Sequence, residues 1–174
     1  MRRCASDTET RFGSSRGFSF VELMLAIAIL AILATVAIPS FSEFALANKL
    51  RAYSNNLVAS VHLTRSEAIK RNQVVEMCVS INGSTCGEGG WEQGWIVLVD
   101  ETVLYRQQAV VDGFRISASG GLETLSFQPT GLAATQVQFT VCRAAPTIGA
   151  QESIVSVSMT GKPSVKRTKS GICP

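Results

Sequence analysis

Hydrophobic and polar positions change their spacing twice along the chain. From Val21 to Ile38 almost every position is apolar, and Glu22 is the only formal charge. From Ser40 onward the apolar positions thin to a stripe of Leu46, Leu50, Tyr53, Leu57, Val61, Thr64 and Ala68, three or four residues apart, which predicts an amphipathic helix. No Gly or Pro interrupts the segment between Phe41 and Asn72, and Asn72 supplies a C-terminal stop. A helix from Phe18 to Arg71 would span about 80 Å at 1.5 Å per residue. Its first half, apolar on all sides, suits lipid or the core of a filament. Its second half suits packing on a globular head. Pro39 cannot donate a backbone hydrogen bond, so a kink is expected near the boundary.

Beyond Asn72 the period shortens. Val74–Ile81, Gly94–Asp100, Thr102–Val110, Thr124–Pro129, Thr135–Cys142 and Ser153–Met159 are β-branched or aromatic runs with partial alternation, parted by Gly-rich or polar turns. These runs predict one or two antiparallel sheets laid on the amphipathic helix, an α+β fold. No internal repeat or low-complexity segment is evident.

Charge adds a direction. The total is only +3, from 16 Lys and Arg against 13 Asp and Glu, so nucleic-acid binding would need a local patch. Arg2, Arg3, Arg11 and Arg16 precede the apolar run, the arrangement of an export signal with its N-terminus in the cytoplasm. The remainder is then expected in an oxidising compartment. Of the five cysteines, Cys4 lies upstream of the apolar run, which leaves Cys78, Cys86, Cys142 and Cys173 for two disulfides. Of three connectivities we expect Cys78–Cys86, closing a short Gly-rich loop, and Cys142–Cys173, tethering the C-terminus. The spacings do not suit zinc knuckles, and the single His62 falls in a predicted helix.

Glu22 asks for a specific explanation. A carboxylate in hydrocarbon costs about 2.5–3.5 kcal/mol on insertion scales and usually marks a function with a partner. A secretory signal avoids internal charge, and a plain signal anchor accounts for the length but not the acid. A cut between Gly17 and Phe18 would place a new α-amino group four residues from Glu22. The stretch Gly17-Phe18-Ser19-Phe20-Val21-Glu22-Leu23 resembles the processing site of type IV pilins and type II secretion pseudopilins. That resemblance implies cleavage after Gly17 by a prepilin peptidase, N-methylation of Phe18, and pairing of Glu22 with the terminal amine of an adjacent subunit. Pro39 matches the family's helix-kinking proline.

A narrower likeness follows downstream. Leu63–Cys78 and then Gly90–Asp100, with its W..GW pattern, resemble the FimT/GspH branch of minor pilins and pseudopilins. The likeness covers Gly17 to about Asp100 and continues more loosely to Cys173. It implies a leader over 1–17, a membrane or filament-core helix over 18–39, an amphipathic helix over 40–72 and a β-rich head over 73–174. It also implies an inner-membrane protein with its head in the periplasm, stored there before entering a pilus or pseudopilus. The implied partners are the major pilin, other minor pilins or pseudopilins, and the prepilin peptidase.

The sequence offers little chemistry. There is one His and no H-E-x-x-H, G-x-S-x-G or P-loop, so a non-enzyme without cofactor or metal is expected. Trp91 and Trp95 suit core packing, His62 a surface position, and Glu67 with Arg71 an i,i+4 ion pair on a solvated helix end. After Glu152 no acid appears, while Lys162, Lys166, Arg167 and Lys169 follow one another. Four cations suit salt-sensitive phosphate contacts. Some FimT proteins bind DNA through a late Gly-Arg-x-Arg turn. The corresponding Gly161-Lys162-Pro163-Ser164 lacks both arginines, with Lys166-Arg167-x-Lys169 as a substitute. The competing reading is a solvated basic loop held by Cys142–Cys173. The expected function is a minor type IV pilin of FimT/FimU type, with a GspH-type pseudopilin and a DNA-binding pilin as alternatives.

Overall fold

The computed structural model describes residues 17–145, 151–170 and 172–173; the expected leader, apart from Gly17, lies outside the described residues. Helix α1 runs Phe20–Arg71 as one element that includes Pro39. It starts two residues later than expected, because Gly17, Phe18 and Ser19 are not helical. The Leu23 amide donates to the Ser19 carbonyl at 3.1 Å to close the first turn. At the other end Asn72 takes φ 54°. The Asn72 amide donates to Ile69 O at 3.4 Å and the Gln73 amide to Ala68 O at 3.3 Å. This paired-bond stop satisfies two of the carbonyls that the C-terminus of the helix leaves open.

The chain divides between Ser42 and Glu43. On the N-terminal side, Phe20, Leu23, Leu25, Ile27, Leu30 and Leu33 are all exposed. The apolar stretch is long enough to cross a membrane.

Among the described residues the head is built on the second part of α1 and eight strands: β1 Val75–Val79, β2 Gly94–Val99, β3 Thr102–Gln108, β4 Phe114–Ala118, β5 Thr124–Phe127, β6 Val137–Arg143, β7 Glu152–Val157 and β8 Pro163–Thr168. They form two four-stranded sheets, ordered β3-β2-β1-β5 and β4-β6-β7-β8. Every pairing is antiparallel. The fold is therefore α+β, as the alternation predicts, but β4 and β8 do not correspond to any run picked out from the sequence. Both are edge strands. Strand β4, FRISA, is a short run of five residues that does alternate, whereas β8, PSVKRT, begins with Pro and carries two adjacent cations, devices that protect an edge and at the same time obscure its pattern.

Leu50, Leu57, Val61, Thr64 and Ala68 of the stripe are buried, while Leu46 and Tyr53 are half-buried against the same core. The hydroxyls of Ser54, Ser60 and Thr64 donate back to the carbonyls of Leu50, Asn56 and Ser60, which lets polar residues share the buried face. Trp91 and Trp95 are fully enclosed, with Phe139 edge-on to Trp91 at 4.9 Å between centroids. Each indole keeps its N–H satisfied: Trp95 Nε1 donates to Ser60 Oγ at 2.9 Å and Trp91 Nε1 to Leu122 O at 2.7 Å. Disulfides join Cys78 to Cys86 and Cys142 to Cys173.

Candidate functional site

Gly17 and Phe18 lie in exposed, non-helical chain just before α1. Glu22 occupies the first turn of α1, exposed among Phe18, Phe20, Val21 and Leu23. The amide end of the helix dipole favours its negative charge. An acid ringed by exposed apolar side chains is a surface made for covering, by lipid around the rings and by a cation at the carboxylate. Breaking the Gly17–Phe18 bond would supply that cation as an ammonium on Phe18. Pro39 lies within α1.

Where the head begins, Glu43 meets Arg143 of β6. The two guanidinium nitrogens donate to the two carboxylate oxygens at 3.1 and 2.9 Å. Arg143 is buried while Glu43 is exposed. No sequence signal marks this pair, since 100 residues separate its members. A second unforeseen acid is Glu152, 4% exposed at the start of β7. It accepts hydrogen bonds from Ser170 Oγ at 2.6 Å, from the Ile172 amide at 3.0 Å and from Thr168 Oγ1 at 3.4 Å. Together with Cys142–Cys173 it fixes the chain after β8 to the sheet.

The late cations are distributed by strand geometry. Lys162 closes the turn between β7 and β8, where its amide bonds to Ser158 Oγ. Lys166 and Arg167 are consecutive on β8 and so point to opposite faces of the sheet. Lys169 follows the strand. Lys162 and Lys169 thus sit at the two ends of β8, about 23 Å apart at 3.3 Å per residue. The structure brings Arg167 together instead with Arg51 of α1, across a small groove.

At the end of α1, Arg71 Nε donates to Glu67 Oε2 at 2.6 Å and Lys70 lies 3.5 Å from Glu67 Oε1. The bond from Arg71, reinforced by the charges of Lys70 and Arg71, holds the Glu67 carboxyl below its ordinary value of 4.5. His62 is exposed. Among the described residues no group of three or more His, Cys, Asp or Glu could hold a metal ion.

Residues 54–161, more than half of the chain, match the family model described as type II transport protein GspH. Residues 13–38 match the prokaryotic N-terminal methylation motif. No curated protein matches the sequence. Among solved structures, the type IV minor pilin FimU of Pseudomonas aeruginosa shares the fold in two crystal forms. One superposes with a TM-score of 0.58 at 18% identity, over 74% of this chain and 99% of that one. The other gives 0.53 at 17% identity, over 71% and 100%. The minor pseudopilin EpsH from the type 2 secretion system of Vibrio cholerae gives 0.46 at 11% identity, over 71% and 99%.

Proposed function

The chain belongs to the family of type II transport protein GspH, and from that membership we propose that it is a minor type IV pilin of FimT/FimU type, a structural subunit of pilus assembly and priming at the tip. Prepilin peptidase removes 1–17, cutting between Gly17 and Phe18, and Phe18 is then N-methylated. The helix 18–39 holds the subunit in the inner membrane, N-terminus cytoplasmic and head periplasmic, until it enters the fibre. The segment 40–72 joins it to the β-rich head of 73–174. No catalysis and no cofactor are assigned; the energy of assembly belongs to a partner motor.

One observation carries the reading: Glu22, a lone acid in the first turn of an exposed apolar helix, lies within the stretch that matches the prokaryotic N-terminal methylation motif. Alone in lipid it is costly, by about 2.5–3.5 kcal/mol. Beside the Phe18 ammonium of a neighbouring subunit the penalty is offset, so docking in register is favoured over staying in the bilayer. Pro39 removes one backbone bond from α1, which eases bending of the helix as subunits pack.

The test is affinity capture of sheared surface fibres from cells producing the protein, with mass spectrometry of its N-terminus. The expected result is a chain beginning at N-methyl-Phe18, recovered with pilus subunits. A chain that keeps residues before Phe18, or that is absent from fibres, overturns the reading. Recovery with secretion components instead would select a GspH-type minor pseudopilin. Contact with DNA is a second reading, favoured by the exposure of Ser164 to Arg167 along the basic edge strand β8. Its test is a gel shift with the Lys166, Arg167 and Lys169 triple alanine variant. Binding of the parent chain at low salt that this variant loses supports DNA contact, and binding unaffected by the change overturns it.

A further inference from the structure

Arg51, Ser54, Asn55, Ser153, Val165 and Arg167 line a groove of about 180 Å³ between α1 and the β7–β8 edge. Two periodicities build it. Arg51, Ser54 and Asn55 are spaced i, i+3, i+4 and share one helix face. Val165 and Arg167 are spaced i, i+2 and share one face of β8, with Ser153 directly across the ladder from Arg167. Ser54 and Ser153 are buried, Val165 is 45% exposed, and both arginines are exposed. No acid lines the groove, and neither arginine has an ion-pair partner among the described residues. By contrast Arg71, Arg115 and Arg143 each face a glutamate. Among the described residues no strand lies beside the far side of β8.

We propose that this groove receives a carboxylate from an extended acidic segment of a neighbouring protein subunit, clamped between Arg51 and Arg167. The inference rests on the structural-subunit reading above and names the surface that subunit uses. Guanidinium forks match a carboxylate with two parallel hydrogen bonds each. Val165 offers an apolar shoulder to the residue beside the acid, and the outer edge of β8, unpaired by any described strand, lies alongside for an extended backbone. A nucleic-acid strand is less well matched. It repeats its charge along one line, whereas Lys166 faces away from Arg167, and Lys162 and Lys169 lie at opposite ends of the strand. The groove has room for one charged group, not for a row.

The test places a photo-crosslinking benzoylphenylalanine at Val165 of the full chain, in cells that assemble fibres. The expected adduct, mapped by mass spectrometry in sheared fibres, is a segment of another subunit containing Asp or Glu near the joined residue. Arg51→Glu with Arg167→Glu should cut that adduct about tenfold or more, as charge reversal does at a paired site. Arg51→Gln with Arg167→Gln, which remove charge at similar length, decide the matter should the reversal unfold the head. Adducts to DNA or lipid, adducts to a segment without a carboxylate, or an adduct indifferent to both double variants would overturn the proposal. Fibres that contain the protein without a Val165 adduct overturn this proposal alone. Fibres that lack the protein overturn the structural-subunit reading and this one with it.

Discussion

Arg143 Nη2 lies 2.9 Å from Glu43 Oε2, and Nη1 of the same guanidinium lies 3.1 Å from Oε1, so a buried arginine of β6 is held at both nitrogens by an exposed glutamate of α1. The asymmetry in burial sets the consequence of losing either partner. Glu43→Ala leaves a buried guanidinium without its counter-charge and should cost about 1–3 kcal/mol. Replacing both, Glu43→Ala with Arg143→Met, removes the orphan charge and should recover much of that loss. Urea denaturation of the purified chain in detergent measures both. A double variant less stable than Glu43→Ala would contradict this account.

The carboxyl of Glu67 titrates below its ordinary value because Arg71 donates to it, with Lys70 adding charge. A folded-state value below the unfolded one means the stabilisation is present above the ordinary 4.5 and is lost as pH falls through the folded value. Thermal midpoints should therefore fall on acidification below about pH 4.5. Glu67→Gln should flatten that part of the profile by lowering the midpoint at pH 7 while changing little at acid pH, where the parent carboxyl is already neutral. An unchanged acid limb in Glu67→Gln would show that other carboxylates carry it.

What the sequence made legible here is what local spacing encodes. The stripe from Leu50 to Ala68 faces the core because its period is that of a helix, and Asn72 ends α1 because a short amide side chain tolerates positive φ. Strands β1, β2 and β3 show through their β-branched residues. Strand β8 does not, since an edge strand is kept soluble by the charges that disguise it. Arg51 reads as an ordinary solvated arginine until β8 brings Arg167 beside it. The Glu43–Arg143 and Glu152 contacts depend on the packing of distant segments, which no window of sequence contains. Even the late basic cluster, continuous in sequence, is divided by the pleat, because consecutive residues on a strand face opposite ways.

Cys142–Cys173 and Glu152 hold the same piece of chain, the residues after β8. Cys173→Ser should destabilise the head by about 2–5 kcal/mol, as the loss of a native disulfide does in small exported domains. Glu152→Ala should cost about 1–3 kcal/mol through the donors it leaves unpaired. Because either change frees the tail, the second should cost less once the first is made, and the pair should fall short of the sum. Strict additivity in chemical denaturation would mean that the two anchors act on separate segments.

Glu22→Ala separates the two environments that α1 must occupy. In the bilayer the wild-type acid is a liability of about 2.5–3.5 kcal/mol, so its removal should leave membrane insertion intact. In the fibre the same acid is expected to meet the Phe18 ammonium of a neighbour, and an alanine there leaves that ammonium buried without a counter-charge. A buried pair broken on one side costs about 3–5 kcal/mol, which is more than insertion gains. Membrane fractions should therefore contain the variant at normal levels while sheared fibres lose it. Glu22→Gln, which keeps size and hydrogen bonding without charge, should fail in the same way if charge pairing sets the register. Fibres containing Glu22→Ala at wild-type levels would remove the electrostatic basis of assembly at this position and leave apolar packing along α1 as the sole driving contact.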